Sequence, residues 1–179
     1  GLSLVLSGNS ATAGAAANGG DRWRSLWPMD SGVAITGDAK SAGCGDLNGD
    51  SRPDLIIGIN DGSPRLLLNQ TGIEGAAGGK PLKVRLRGSV GNRTAIGARV
   101  TLQIKGRPSQ TAERYAGCGY LTQGSPELFF GLGAGTLEKT TAELKVRWPD
   151  GRESSHPLTA EQMRRGSVIV SAPVDEGAP

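Results

Sequence analysis

Four oxygen-bearing side chains, Asp46, Asn48, Asp50 and Asp54, fall at positions 1, 3, 5 and 9 of the stretch Asp46-Leu47-Asn48-Gly49-Asp50-Ser51-Arg52-Pro53-Asp54. Three carboxylates this close repel one another unless a cation sits among them. A hard divalent ion ringed by oxygens removes that cost, and alternate residues of a tight loop turn their side chains inward. Arg52, at position 7, is expected to contribute its backbone carbonyl. The chemistry expected is Ca²⁺ coordination by Asp46, Asn48, Asp50, the Arg52 carbonyl and Asp54. An EF-hand needs an acid at position 12, which here is Ile57, inside an apolar strand-like run. The plainer alternative is a metal-free Asp/Asn/Gly turn. Such a turn needs one or two of these residues, not four in register.

Other chemistry finds less support. Cys44 and Cys118 lack CxxC spacing, and the single histidine, His156, completes no familiar zinc pattern with them. Either they form a disulfide or they are two buried free thiols. A disulfide would imply an oxidising compartment and stabilise by about 4 kcal/mol in the chain-entropy model. His156 precedes Pro157 in a polar segment and is expected at the surface, so no Ser/His/Asp triad is expected. Gly131-Leu132-Gly133-Ala134-Gly135 lacks the third-glycine spacing and the GK[ST] of a nucleotide loop. No enzyme is expected. Asn69-Gln70-Thr71 and Asn92-Arg93-Thr94 fit the N-glycosylation acceptor, which marks Asn69 and Asn92 as candidate surface sites.

The elements that must hold these residues read as strands. Val33-Ala34-Ile35 is a short strand candidate ahead of the loop. Asp54–Ile59 and Arg65–Asn69 form a hairpin across Asn60-Asp61-Gly62-Ser63-Pro64. Farther on, Leu82, Val84 and Leu86 alternate with Lys83, Arg85 and Arg87. Val100, Leu102 and Ile104, and then Leu144, Val146 and Trp148, repeat the pattern. With Leu128–Leu132 and Val168–Val170 they predict an antiparallel sandwich or barrel. One helical turn is expected at Thr159–Arg165, with Thr159 as N-cap and Gln162 three later. Trp23 and Trp27 are expected in the core or at a contact between modules.

Composition agrees with many short strands. The chain has 179 residues, 29 of them glycine, with 4% aromatic and 36% hydrophobic residues. No apolar run approaches the roughly 18 residues needed to span a bilayer, and no signal peptide is evident. If the chain is exported, Gly1 is expected to be a processed start. Net charge is +3 with both signs interspersed. The basic residues lack interleaved aromatics, so nucleic acid is not an expected partner.

Two resemblances follow from these motifs. The loop and the strand after it, over residues 38–69, resemble the FG-GAP/VCBS repeat of integrin-type β-propellers, in which this loop binds Ca²⁺. About one and a half blades are present, too few to close a ring. Val84-Arg85-Leu86-Arg87-Gly88, Asn92-Arg93-Thr94-Ala95-Ile96-Gly97-Ala98-Arg99-Val100, Ala116-Gly117-Cys118-Gly119-Tyr120-Leu121-Thr122-Gln123, Leu128-Phe129-Phe130-Gly131-Leu132-Gly133 and Val146-Arg147-Trp148-Pro149-Asp150-Gly151 follow in order. They resemble the ASPIC/UnbV domain over residues 80–171. In that family the domain typically follows FG-GAP repeats at the C-terminus of exported, cartilage acidic protein-like proteins, here of bacterial type. Cys118 replaces a residue that is usually small and polar there, which fits a bond particular to this chain.

The organisation implied is all-β. A partial, propeller-like calcium region spans 1–72, a linker 73–80, an antiparallel β-sandwich or barrel 81–172, and a tail 173–179. The function expected is that of a non-enzymatic extracellular or cell-surface structural or adhesion protein stabilised by Ca²⁺. Leu2, Leu4 and Leu6 alternate in a first strand with no evident hairpin partner. Strand addition between subunits is one expectation for it, giving a homo-oligomer or filament. The alternative is a glycan- or protein-binding module of a larger exported propeller protein. In the second half, the aromatic candidates for such a site are Tyr115, Tyr120 and Trp148.

Overall fold

A computed structural model describes residues 4–7, 23–70, 81–133 and 141–174. Leu2, the loop 9–20, the linker 73–80 and the last residues of the tail, 175–179, lie outside the described residues. The described residues are all-β apart from two short helices. In order it contains β1 (Leu4–Ser7), β2 (Trp23–Leu26), α1 (Pro28–Ser31), β3 (Ala39–Gly45), β4 (Asp54–Ile59), β5 (Arg65–Leu67) and β6 (Pro81–Arg87). There follow β7 (Arg99–Ile104), β8 (Gln110–Glu113), β9 (Leu128–Gly131), β10 (Ala142–Arg147), β11 (Glu153–Leu158), α2 (Ala160–Arg165) and β12 (Ser167–Ser171).

Period-two alternation sets the packing of the second half. Sheet order β11-β10-β7-β8 brings Leu144 opposite Leu102 and Val146 opposite Val100, so the apolar phase of each strand shares one face. A second sheet, β12-β6-β9, pairs Leu82 with Phe130 and Val84 with Leu128. Buried side chains of both sheets form one continuous core from Leu82 to Val170, with Trp148 and Met163 inside it. The Trp148 indole N–H donates to Ser154 Oγ at 2.9 Å, which satisfies the polar edge of a ring only 2% exposed.

The β12–β6 pair is parallel, Val84 opposite Val168 and Leu86 opposite Val170, and this departs from the purely antiparallel arrangement expected. A crossover is needed for parallel pairing, and α2 lies in it. Thr159 and Gln162 form the expected capping box at its start. Gly166 ends it at φ 71°, and its carbonyl accepts the Lys83 N–H at 2.9 Å, which begins the pairing. A Cβ on Gly166 would stand 3.2 Å from the Pro81 carbonyl oxygen, so a glycine suits the turn both conformationally and sterically.

The first half holds two small sheets, β1-β2 and β3-β4-β5. The hairpin across 60–64 forms as expected. Three expectations are corrected. The first strand has a partner, since Leu4–Ser7 pairs antiparallel with Trp23–Leu26. Val33-Ala34-Ile35 is not a strand: Pro28 at the first helical position starts α1 just upstream, and Val33 is buried in irregular backbone. Trp27 stands 77% exposed at the start of α1, outside the core, and the side chain of Trp23 lies outside the described residues.

Candidate metal centre

The acidic loop is the β3–β4 connection, closed by the pairing of Gly45 with Asp54. Each acid or amide ties down backbone a few residues ahead, which is how Asp and Asn build turns. Asp46 Oδ1 accepts the Gly49 N–H at 2.8 Å and Oδ2 the Ser51 N–H at 2.9 Å. Asn48 Oδ1 accepts the Asp50 N–H at 3.1 Å, and Asp50 Oδ1 accepts the Arg52 N–H at 2.8 Å. Gly49 and Ser51 take positive φ, 81° and 69°, as the chain doubles back.

Asp54 is fully buried, and each of its oxygens has a donor. Oδ2 accepts the Leu47 N–H and Oδ1 the Asn69 N–H, both at 2.8 Å. The carboxylate therefore staples the start of the loop to the segment after β5. Asn69 strengthens the staple by donating Nδ2 to the Pro53 carbonyl at 3.1 Å.

Repulsion among the acids is offset within the chain itself. Lys83 Nζ, from β6, lies 2.5 Å from Asp46 Oδ2, and Arg52 Nη1 lies 3.2 Å from Asp50 Oδ2. Asn48 Nδ2 donates to the same Asp50 oxygen at 3.0 Å. Burial works to raise the Asp46 carboxyl, but the hydrogen bonds from Lys83 and from the Ser51 and Gly49 amides together hold it below the usual carboxylate range. Asp50 is likewise held low, burial being outweighed by the Arg52 amide, the Asn48 amide group and the Arg52 guanidinium.

Does this donor set fit a metal? All the side chains that the spacing assigns offer oxygen, which suits a hard cation such as Ca²⁺. Asp46 Oδ1, Asn48 Oδ1 and Asp50 Oδ1 each accept a single N–H, so each keeps a lone pair. The set fits on these counts. Asp54 differs in having both oxygens engaged, and among the described residues no three acidic, Cys or His side chains converge as a ready-made cluster. Asp46, Asn48 and Asp50 are the side chains best placed to hold an ion, with Asp54 setting the shape of the loop.

The junction with the second half was not legible from sequence. Lys83 lies on the polar phase of β6, with nothing local to tie it to Asp46. Residues Thr122–Ser125 lie along β3, with the Ser125 N–H donating to the Cys44 carbonyl at 2.8 Å. Glycine in β3 allows this approach: a Cβ on Gly45 would stand 3.0 Å from Ser125 Cβ, and one on Gly43 would stand 3.3 Å from Thr122 Oγ1. Cys44, in β3, and Cys118, in the loop after β8, both have exposed, unbonded thiols. Ser51 also approaches the turn after α2, where a Gly166 Cβ would lie 3.7 Å from its Cβ.

The remaining candidates are scattered. Asn92 brackets its own loop, donating Nδ2 to the Ile96 carbonyl and accepting the Ile96 N–H, both at 2.9 Å. His156 is half-buried, not fully at the surface, with Nε2 2.9 Å from Ser154 Oγ. Trp148 is core, whereas Tyr115 and Tyr120 are exposed. Tyr115 Oη donates to Glu113 at 2.7 Å, and Glu113 meets Arg99 at 3.5 Å. Arg99 borders a shallow cleft of about 470 Å³ on the solvent face of the four-stranded sheet, lined also by Thr101, Lys145, Arg147, Glu153 and Ser155. Among the described residues, no helix is long and apolar enough to cross a membrane.

A search of curated proteins found no match to the chain. Residues 88–164 match the model of the family described as ASPIC and UnbV. That stretch runs from the end of β6 into α2, so the parallel strands β6 and β12 fall outside the match although both belong to the same core. Over residues 88–164, therefore, the chain carries a domain similar to the ASPIC and UnbV family.

Proposed function

We propose that this chain is a non-enzymatic, extracellular or cell-surface structural or adhesion module whose β3–β4 loop takes Ca²⁺. On this reading residues 38–69 are an FG-GAP/VCBS-type repeat, one part of a propeller. The second half is a sandwich-like domain of the type found in bacterial, cartilage acidic protein-like proteins. The observation that carries the reading is the loop itself. Its oxygens fold the backbone into successive Asp and Asn turns while three of them keep a free lone pair. Asp46 also ties the loop to β6, because Lys83 reaches its second oxygen. Self-association, where it occurs, would use the outer edges of the β1–β2 pair, which join no other strand among the described residues.

The test is a calcium titration of the 179-residue chain. Millimolar CaCl2 is expected to raise the melting temperature by several degrees over EGTA, about 2–4 °C per kcal/mol of binding free energy. Asp46→Asn and Asp50→Asn should remove the shift. An equal melting temperature in both solutions overturns the calcium assignment. Sizing in the same two solutions reports on assembly, and a monomer in both rejects the filament.

The second reading, a glycan- or protein-binding module, is favoured by the cleft. Hydroxyl and charged side chains line it, and its Arg99 meets Glu113, which accepts the hydroxyl of the exposed Tyr115.

A further inference from the structure

Two cysteines from opposite sides of the module junction flank one glycine in this fold. Cys44 is the penultimate residue of β3, and Cys118 sits in the loop that leaves β8 and returns along β3. Residues 124 and 125 lie between them. The Ser125 N–H donates to the Cys44 carbonyl, and a Cβ on Gly124 would stand 3.5 Å from that carbonyl oxygen and 3.7 Å from Cys118 Sγ. Gly124 thus leaves open the space that a side chain would fill between the two cysteines. One residue beyond Cys118, a Cβ on Gly119 would lie 4.0 Å from the Ala42 carbonyl, so the loop also reaches the preceding part of β3.

We propose that Cys44 and Cys118 close a disulfide that clamps the calcium-loop sheet β3-β4-β5 to the second domain. The inference goes beyond the calcium assignment and does not depend on it. Both thiols are solvent-accessible, so an external disulfide reaches them. The Cys118 thiolate attacks oxidised glutathione, forming a mixed disulfide and expelling one glutathione thiolate. The Cys44 thiolate then attacks Cys118 Sγ, forming the internal bond and expelling the second glutathione thiolate. In total, two protein thiols lose two protons and two electrons, and one glutathione disulfide becomes two thiols.

The clamp would add a covalent bond to the polar contacts that cross the junction. Among those in the structure are the Ser125–Cys44 backbone bond and the Lys83–Asp46 pair. The oxidised chain should therefore resist opening at β3 more than the reduced one.

The test places dilute 179-residue chain in a glutathione redox buffer and follows intact mass, thiol count and hydrogen exchange. Expected is a monomer lighter by two hydrogens, with no free thiol and no glutathione adduct, and a digest that yields Cys44 and Cys118 peptides joined. Its melting temperature should exceed that of the reduced chain by about 8–16 °C, the shift implied by a loop of this length. Exchange across residues 39–45 should slow on oxidation. Cys44→Ser and Cys118→Ser should each retain one stable glutathione adduct, with a cooperative melting transition checking that each variant folds. Adducts on both cysteines of the unaltered chain, or cross-linked dimers in place of the internal bond, overturn the proposal.

Discussion

Replacing Asp54 should damage this protein more than replacing any other acid of the loop. The carboxylate is fully buried, and its oxygens accept two amide hydrogens, from Leu47 and Asn69, each at 2.8 Å. Asp54→Ala orphans both donors, and each buried donor left without an acceptor costs about 1–3 kcal/mol. The carboxylate is buried but the two amides are only part-buried, so water replaces some of the loss and the sum is about 2–4 kcal/mol, still a large part of the roughly 5–15 kcal/mol that holds a domain folded. Asp54→Asn keeps the shape and one acceptor but turns an NH₂ toward the other amide, so it should cost about half as much. Asp61→Ala, at an exposed turn residue whose φ of 52° suits Asp better than Ala, should cost only about 1 kcal/mol. Urea unfolding followed by tryptophan fluorescence gives the ranking, and hydrogen exchange at the Leu47 and Asn69 amides locates the loss. If Asp54→Ala falls within about 0.5 kcal/mol of the unaltered chain, the staple is not what holds the loop.

Two further outcomes are expected. Because the folded-state Asp46 carboxyl lies below its usual value, its contribution is complete above the unfolded pKa of about 3.9 and is lost as pH falls through the lower folded value. Stability should thus be flat from pH 7 to about 5 and drop below about 4, and Lys83→Met should flatten that drop and cost about 1 kcal/mol at neutral pH, as pH-resolved melting curves would show. Gly45→Val should force Ser125 off β3, since even its Cβ would stand 3.0 Å from Ser125 Cβ. The expected cost is about 1–3 kcal/mol, with faster exchange of the Ser125 amide.

Local signals carried the sequence reading furthest. Alternation at 82–86, 100–104 and 144–148 identifies strands because the side-chain period of a strand is two, and those residues are the core. The α2 capping box and the 60–64 turn are short-range chemistry and formed as expected. Long-range partnership was not legible. Nothing in the β12 sequence says that it runs parallel to β6, since the apolar phase of Val168 and Val170 suits either direction. Val33 is buried as an apolar residue should be, yet its backbone follows from Pro28 upstream, not from its own β-branching. At the acidic loop the residue types marked where Asp and Asn side chains turn the backbone. What they hid was that Asp54 is an internal staple and that Asp46 already has a cationic neighbour from another element.

The side-by-side run of β6 and β12 also sets how the second domain would respond to tension. The chain enters β6 at Pro81 and leaves β12 at Ser171, at opposite ends of a pair in which Lys83 to Arg87 face Ser167 to Ser171. A pull between those two points drives the strands past one another lengthwise. Every rung of the ladder then bears the strain together, whereas a hairpin pulled from its open end parts one rung at a time.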